Sequence, residues 1–309
     1  MEASGATMHR KGAALVLAAA LCWSSGGLIA RFITTDVWTQ TAGRGFFAAA
    51  TLLVFIVVRD GRNTWTLFRN LGLPGFAVAI CFASASLCFV IALRHATVAT
   101  ILVIQSTAPL VAGVIAWIWI REVLGWARGL AMAVALFGVW QMVSGGTSGG
   151  DTLGIALSCI IALSLGIATV MVRRYSAIRM TPAMCLAGVL LMVIGLVVRE
   201  PGSVSASDVG LLLLFGAGQL AIGMIFFTVG ARLIPAGEAA LLGLLECVCG
   251  PLWVWIFLGE EPGNRAITGG LLTVAAVAGN TIYEMVRAAR HTGQRPEQSG
   301  PGRAIGGPV

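Results

Sequence analysis

Apolar residues follow one another in ten long runs along this chain, and short polar segments separate each run from the next. A helix needs roughly 20 apolar residues to cross the hydrocarbon core of a bilayer. The runs are continuously apolar, whereas the strands of a membrane barrel alternate apolar and polar positions. The pattern therefore predicts ten transmembrane helices, at approximately 12–33, 36–58, 71–93, 96–120, 126–143, 152–172, 181–198, 209–231, 236–258 and 266–286.

An internal repeat divides these helices into two halves. Residues 99–125 align without a gap with residues 237–263 at an offset of 138 residues, which places Trp117 on Trp255. A glycine- and serine-rich segment, 144–151, lies between the fifth and sixth runs. We therefore predict an all-α integral membrane protein with a five-helix repeat at 12–143, a linker at 144–151, a second five-helix repeat at 152–286 and a disordered cytoplasmic tail at 287–309.

The distribution of basic residues predicts the orientation of the chain. With the N-terminus inside, fifteen Lys and Arg residues fall in inner segments and four in outer ones. Because cytoplasmic segments carry an excess of Lys and Arg, both termini are expected in the cytoplasm. Each half has an odd number of helices, so the second half would enter the membrane upside down relative to the first. Inverted repeats of this kind are typical of secondary transporters, whose substrate site lies near the membrane midplane.

Composition supports the membrane assignment and excludes several other classes. The chain is 58% hydrophobic and 11% charged, against about 25% charged residues in soluble domains. The net charge of +7 does not indicate nucleic-acid binding, because the basic residues stand singly or in pairs at the ends of apolar runs. The seven cysteines lie within apolar runs without a CxxC motif or a Cys/His cluster, so no metal and no cofactor is expected.

The first run also fits a cleaved signal peptide, since a basic segment precedes it and small residues follow. Apolar runs continue down the chain, however, and no soluble domain follows. We therefore interpret the first run as a retained membrane span.

Two ionisable residues within the predicted spans are the strongest candidates for a binding site. A charged group inside a span costs roughly 2.5–3.5 kcal/mol even on insertion scales, so such groups rarely face lipid. Arg44 in the second span and Glu246 in the ninth have opposite charges and lie in opposite halves. We expect Arg44 to attract a substrate carboxylate or to balance Glu246, and Glu246 to bind a cationic group or a proton. The structural alternatives are a buried ion pair between the halves, or Arg44 extending to the outer interface.

Polar and aromatic residues within the spans supply further candidates for substrate binding. Gln105 lies four residues before Pro109, and a proline leaves a backbone carbonyl one turn earlier without its partner. Such freed carbonyls line the sites of broken transporter helices. Serine in a membrane helix more often allows close helix packing than binds a ligand, and tryptophan often packs against its neighbours. For Ser24 and Trp23, both packing and substrate binding therefore stay open. The remaining candidates are Trp23, Ser24, Gln219 and Asn280.

Several motifs give the chain a family resemblance. They are Trp23-Ser24-Ser25 in the first span, Arg44-Gly45-Phe46-Phe47 in the second, an Ala-Leu-Arg…Ala-Pro-Leu…Trp…Arg-Glu pattern over 92–122, and a counterpart that ends in Leu258-Gly259-Glu260. With two sets of five spans, the chain resembles the EamA-type transporters of the drug/metabolite transporter superfamily. The resemblance implies movement of small solutes without ATP hydrolysis. The chain departs from the family at Cys247, where a proline often follows the glutamate, so the helix break is expected to be absent or moved to Pro251.

These observations together predict a secondary transporter of an amino acid, metabolite or drug in the bacterial inner (plasma) membrane. Alternating access at a central cavity is the expected mechanism and export the expected direction, with protons and lipids as further partners and no nucleic acid. A passive channel or a lipid or solute facilitator is the alternative, and a monomer or a homodimer fits equally. A membrane-embedded enzyme is disfavoured, because the sequence has no HExxH, GxSxG or Walker lysine motif.

Overall fold

The computed structural model of the chain describes residues 2–121, 125–143, 151–199, 204–234, 236–261 and 263–293. Its regular elements are helices throughout these ranges. The first half contains α1 (Glu2–Ser24), α2 (Gly26–Phe32), α3 (Val37–Asp60), α4 (Thr64–Arg69), α5 (Gly72–Ala92), α6 (Val98–Gln105), α7 (Ala108–Ile120) and α8 (Trp126–Val143). The second half contains α9 (Thr152–Arg174), α10 (Thr181–Val198), α11 (Ala206–Leu213), a π-helical stretch (Leu214–Ile222), α12 (Gly223–Gly230), α13 (Ala236–Gly243), α14 (Leu245–Leu258) and α15 (Asn264–Gly293).

The helices follow the predicted spans closely, although three spans are each interrupted by a break and a fourth contains the π-helical stretch between α11 and α12. By length and hydropathy, eight helical segments of the described chain could cross a membrane. The other two predicted spans contain shorter apolar segments, Gly129–Gln141 and Ile267–Tyr283. Ten spans therefore stay a prediction, whereas an all-helical protein with several apolar, membrane-length helices is what the structure contains.

The last helix is longer than predicted. It begins at Asn264 and ends at Gly293, so 287–293 are helical although the sequence assigned them to the tail. This segment contains alanine and arginine, which are among the strongest helix formers, so the helix continues beyond its apolar part. The rest of the predicted tail, and residues 144–150 of the predicted linker, lie outside the described residues.

Each main contact between helices has an equivalent contact in which the helices of the two halves exchange places. Counterparts at the same place in each half pack on each other, α3 on α10 and α8 on α15. The contact of α5 with α9 has its equivalent in the contact of α1 with α12. Likewise, α6 and α7 pack on α9, while α13 and α14 pack on α1. A two-fold relation produces this reciprocal pattern, because it pairs each contact with its exchanged copy.

Glycines allow α3 and α10 to approach very closely. A Cβ atom added at Gly45 would lie 2.5 Å from the carbonyl oxygen of Gly188, and one added at Gly195 would lie 2.5 Å from the amide nitrogen of Ala42. Small residues at membrane helix contacts permit backbone approach and close van der Waals packing. The α3–α10 pair therefore forms a tight seam between the two halves.

The repeated segment of the sequence has the same irregularities in both copies. The helix is interrupted at Ser106–Thr107 in the first copy, and at Leu244, 138 residues later, in the second. The helices that follow both end in a left-handed residue, Arg121 with φ 57° and Gly259 with φ 66°, again 138 residues apart. The repeat therefore extends to the positions where the helices break and end.

The helix break in the second copy corrects the expectation drawn from Cys247. The break is present and precedes Cys247, while Pro251 lies inside α14 without ending it. Backbone hydrogen bonds between residues three apart tighten the turn there, from Leu244 N to Leu241 O at 3.2 Å and from Cys247 N to Leu244 O at 3.0 Å. A short i→i+3 turn of this type interrupts an α-helix without any proline.

Candidate functional site

A cavity of about 260 Å³ lies in the middle of the helix bundle. Helices of both halves supply its wall, so it lies where the two halves meet. Most of its surface is apolar, and a few polar groups converge on it, as is usual for sites that bind small molecules. The lining residues are Trp23, Arg44, Phe82, Ala85, Ser86, Phe89, Gln105, Ile161, Leu165, Gln219, Leu220, Met224 and Glu246.

Arg44 provides the positive charge in the cavity wall. The residue is only 4% exposed and lies about two turns into α3. Its guanidinium carbon is 4.2 Å from the centre of the Phe215 ring and 5.2 Å from that of Phe89, so both rings contribute cation–π attraction. Its Nη2 donates a hydrogen bond of 3.1 Å to Oε1 of Gln219. These contacts hold the guanidinium at a fixed place inside the bundle.

The hydrogen-bonding capacity of Arg44 is only partly used. Its Nε and Nη1 atoms are buried without a hydrogen-bond partner. In the part of the chain that the structure describes, no carboxylate oxygen lies within 4 Å of the guanidinium. Leaving a buried donor unpaired costs about 1–3 kcal/mol, so each such donor calls for a physical explanation. Arg44 therefore has two donors whose partners the described chain does not supply.

Gln219 connects Arg44 to the first span. While its Oε1 accepts from Arg44, its Nε2 donates a hydrogen bond of 3.1 Å to the carbonyl oxygen of Trp23. That carbonyl lies beside the interruption between α1 and α2. Gln219 belongs to the π-helical stretch, and such stretches commonly occur at functional sites. A Cβ atom added at Gly26 would lie 2.8 Å from Nε2, so the small residue there makes room for the amide.

Glu246 provides the negative charge in the cavity wall. It lies in the first turn of α14, directly after the helix break, where the helix dipole favours an anion. Its Oε1 accepts a hydrogen bond of 3.4 Å from Nε2 of Gln105, the last residue of α6. The two interrupted helices of the repeat thus meet at this pair. Arg44 and Glu246 both line the cavity, and neither is within ion-pair distance of the other.

The structure brings together five of the seven predicted residues: Trp23, Arg44, Gln105, Gln219 and Glu246. Ser24 is not among the lining residues. It is fully buried, and its hydroxyl donates to Leu21 O and accepts from Nε1 of Trp253 at 3.0 Å, which ties α1 to α14. Asn280 lies on α15 away from the cavity, and its Oδ1 is buried without a hydrogen-bond partner.

The apolar lining residues were not predicted from the sequence. On α5 the apolar lining residues Phe82, Ala85 and Phe89 share one face of the helix with Ser86, at the spacing i, i+3, i+4 and i+7. In a span that is apolar all round, composition gives no reason to choose this face over another. The polar residue Ser86 was the one feature of the sequence that could have indicated this face.

Several polar contacts join the two halves at the end of the bundle predicted to be outside. Arg31 pairs with Glu260 at 3.3 Å, and the Thr34 hydroxyl donates to Oδ2 of Asp208 at 2.9 Å. Asp151 lies at the same end, where it accepts hydrogen bonds from the Gly154 amide and from Nδ1 of His95, both at 2.8 Å. The hydrogen bond from Gly154, followed by the one from His95, lowers the pKa of Asp151. In the described ranges, His, Cys, Asp and Glu side chains form no cluster of three that could hold a metal ion.

Comparison with known proteins places the chain in a family. A solved crystal structure described only as "protein" covers 91% of this chain and 98% of its own, with a TM-score of 0.63 and 16% sequence identity, which shows a shared fold. No curated protein matches the chain. The EamA-like transporter family matches twice, at residues 10–144 and at residues 149–282. Because the two matches cover most of the sequence, the chain belongs to the EamA-like transporter family of the drug/metabolite transporter superfamily and is a multi-pass membrane transporter.

Proposed function

We propose that this chain is a secondary transporter that carries a small zwitterionic solute, such as an amino acid, by alternating access through the central cavity. The observation that carries the proposal is a cavity between the halves whose wall contains Arg44, with two donors lacking partners, and Glu246, which is not within ion-pair distance of Arg44. The free Nε and Nη1 atoms of Arg44 would receive the carboxylate of the solute. Glu246 would receive its ammonium group, or a proton when the solute is absent.

The apolar part of the cavity gives the solute a place for its side chain. Phe82, Phe89, Leu165 and Met224 line this space. Trp23 also lines it, and its ring centre lies 5.3 Å from that of Phe227. A hydrogen bond to a charged group contributes about 1.5–3 kcal/mol, so the two charged ends together would contribute roughly 3–6 kcal/mol. Burial of an apolar side chain would add to this and would select among solutes with the same charged ends.

The proposal includes ten spans, two inverted repeats and cytoplasmic termini in the inner membrane. Reciprocal packing of the halves supports a two-fold relation between them. The excess of Lys and Arg in alternate segments, together with five predicted spans per half, supports an axis in the plane of the membrane. Transporters with this symmetry have their solute site at the interface of the repeats, where the cavity lies here.

The proposed direction is export, driven by exchange with protons at Glu246. The contacts Arg31–Glu260 and Thr34–Asp208 hold the halves together at the predicted outer end. In the other direction, a smaller space of about 40 Å³ shares Phe82, Ser86, Leu220 and Met224 with the cavity and extends to Leu52 and Met184. This asymmetry supports a conformation that a solute would enter from the cytoplasm.

Ligand-dependent thermal stabilisation tests the proposed solute class. The purified protein is unfolded in detergent in the presence of each standard amino acid, its carboxyl amide and its decarboxylated amine. A ligand at 100 times its Kd stabilises the folded state by about 2.7 kcal/mol. We expect stabilisation by at least one amino acid and its loss for both analogues. Equal stabilisation by the amine or the amide would contradict the assignment of the two charged ends.

Flux through proteoliposomes distinguishes the transporter from a passive channel or facilitator. An amino acid identified by thermal stabilisation should be taken up with saturable kinetics, and unlabelled solute on the opposite side should accelerate the exchange. Flux that rises linearly with concentration and does not respond to solute on the opposite side would favour the passive alternative.

A further inference from the structure

A second cavity, of about 390 Å³, lies at the opposite end of the bundle from the Arg31–Glu260 contact. The C-terminal part of α3 forms one wall and the residues at the end of α12 form the other, so the cavity lies between the two halves of the chain. It shares no residue with the central cavity. Its lining residues are Phe55, Val58, Arg59, Val229, Arg232 and Leu233.

The cavity combines an apolar wall with two arginines at its rim. Four of its six lining residues are apolar, and Val58 is 82% exposed on the outer surface of the bundle. The guanidinium carbon of Arg59 lies 5.9 Å from the centre of the Phe55 ring. Arg59 and Arg232 are both exposed. An apolar surface beside exposed cations, on a helix that faces the bilayer, matches the two parts of a phospholipid.

The charge of these two arginines is not balanced by the surrounding chain. Among the described residues, no carboxylate oxygen lies within 4 Å of Arg59 or Arg232. Asp60, the acidic residue next to Arg59 in the sequence, is instead paired with Arg179 at 2.6 Å. Glu238, the acidic residue that follows Arg232, is instead bonded to Nε2 of His9 at 2.8 Å. Two positive charges therefore remain available at the rim of this cavity.

We propose that the cavity binds an anionic glycerophospholipid. The phosphate lies between Arg59 and Arg232, and the acyl chains lie along Phe55, Val58, Val229 and Leu233. Basic pockets between membrane helices on the cytoplasmic side bind anionic headgroups, because the cations attract the phosphate while the helices cover the chains. A free phosphate ion would use the arginines but would leave the apolar wall uncovered. The occupant is therefore a lipid, and it contacts α3 of one half and α12 of the other.

Titration of the purified full chain with lipid tests this site. In a non-ionic detergent, dioleoylphosphatidylglycerol is added, and binding is followed by native mass spectrometry and by the midpoint of thermal unfolding. Dioleoylphosphatidylcholine, which has the same acyl chains, and inorganic phosphate serve as reference ligands. We expect retained adducts and a raised midpoint with phosphatidylglycerol, and neither effect with phosphatidylcholine or phosphate.

Variants with equal charge changes locate the site. The pair Arg59→Gln and Arg232→Gln should weaken phosphatidylglycerol binding by at least about tenfold. The control pair Arg62→Gln and Arg69→Gln removes two exposed arginines at the same end that do not line the cavity, and it should change binding by less than about twofold. All four side chains are exposed, so folding should be retained.

Three results would overturn the proposal. Equal weakening by both pairs of variants would show general attraction between basic residues and anionic lipid instead of a site. Equal stabilisation by inorganic phosphate would show a site for soluble anions. Equal binding of the two lipids by the wild-type chain would show that the site does not select an anionic headgroup. None of these results depends on the identity of the transported solute.

Discussion

Replacement of Arg44 by methionine separates a role in binding the solute from a role in holding the bundle together. Methionine has a similar length and no charge, so it fills the space between Phe89 and Phe215 without creating a large cavity. The variant loses the cation in the wall of the central cavity and both of its buried donors without partners. If the charge exists for a ligand, transport should be lost while the folded state is retained.

The stability change can be estimated from the contacts of the guanidinium. The variant loses the hydrogen bond to Gln219, worth about 1.5–3 kcal/mol, and two buried cation–π contacts, worth about 2 kcal/mol each when desolvated. It gains relief from two buried donors without partners, each costing about 1–3 kcal/mol. At the middle of these ranges the losses exceed the gain by about 2 kcal/mol, so we expect a modestly destabilised variant that remains folded. Loss of two charge-assisted hydrogen bonds to a carboxylate should weaken solute binding by roughly 100-fold or more.

Thermal unfolding in detergent and uptake into proteoliposomes measure the two quantities on the same preparation. We expect an unfolding midpoint near that of the wild type together with uptake near that of empty liposomes. Arg44→Lys is the matched variant, since it keeps the charge but loses the planar arrangement of donors, and it should restore uptake only in part. Normal uptake by the methionine variant, or a large loss of stability with binding retained, would refute the reasoning.

Three further substitutions, one of them with a control variant, test other parts of the structure. Glu246→Gln keeps a hydrogen-bonding group in the cavity wall but removes the negative charge, so amino-acid-dependent stabilisation should be lost while the chain still inserts; retained stabilisation would contradict its role. Gly45→Ala places a Cβ atom 2.5 Å from the backbone of α10 and should destabilise the protein by about 1–3 kcal/mol in thermal unfolding. Gly210→Ala, where no atom lies within 4 Å of the new Cβ, is its control and should cost far less. The lowered pKa of Asp151 predicts that this carboxylate stabilises the fold above the ordinary aspartate pKa of about 3.9, and that the contribution is lost as the pH falls below it. Asp151→Asn should therefore unfold at a lower temperature than the wild type at neutral pH, and the difference should close in acid; a difference independent of pH would contradict this assignment.

The sequence was sufficient to predict most of the helices, because continuous apolar runs bounded by polar segments determine where a chain can cross lipid. It also identified Arg44 and Glu246, since a charge inside a span is costly enough to stand out. The interruption at Leu244 could not be predicted. It depends on local i→i+3 hydrogen bonds. Pro109 suggested a break in the first copy, but Cys247 occupies the equivalent position of the second copy.

The geometry of the site could not be predicted from the sequence either. Gln219 was a candidate only as a polar residue within a span, whereas its two hydrogen bonds depend on the π-helical stretch that carries it. Ser24 and Asn280 had the same signal, yet they lie away from the cavity. Polarity within a span therefore indicates that a side chain avoids lipid, but the packing decides whether it meets a cavity or a neighbouring helix.

Opposite insertion of the two halves is the central claim, and site-directed labelling of single cysteines tests it most directly. The seven native cysteines are first replaced, and a cysteine is introduced at Ser148 in the predicted linker or at Gln294 in the predicted tail. A membrane-impermeant maleimide is then added to intact cells. We predict labelling at position 148 in intact cells and at position 294 only after permeabilisation. Labelling of both positions in intact cells, or of neither position until the cells are permeabilised, would place them on one side of the membrane and contradict the inverted arrangement.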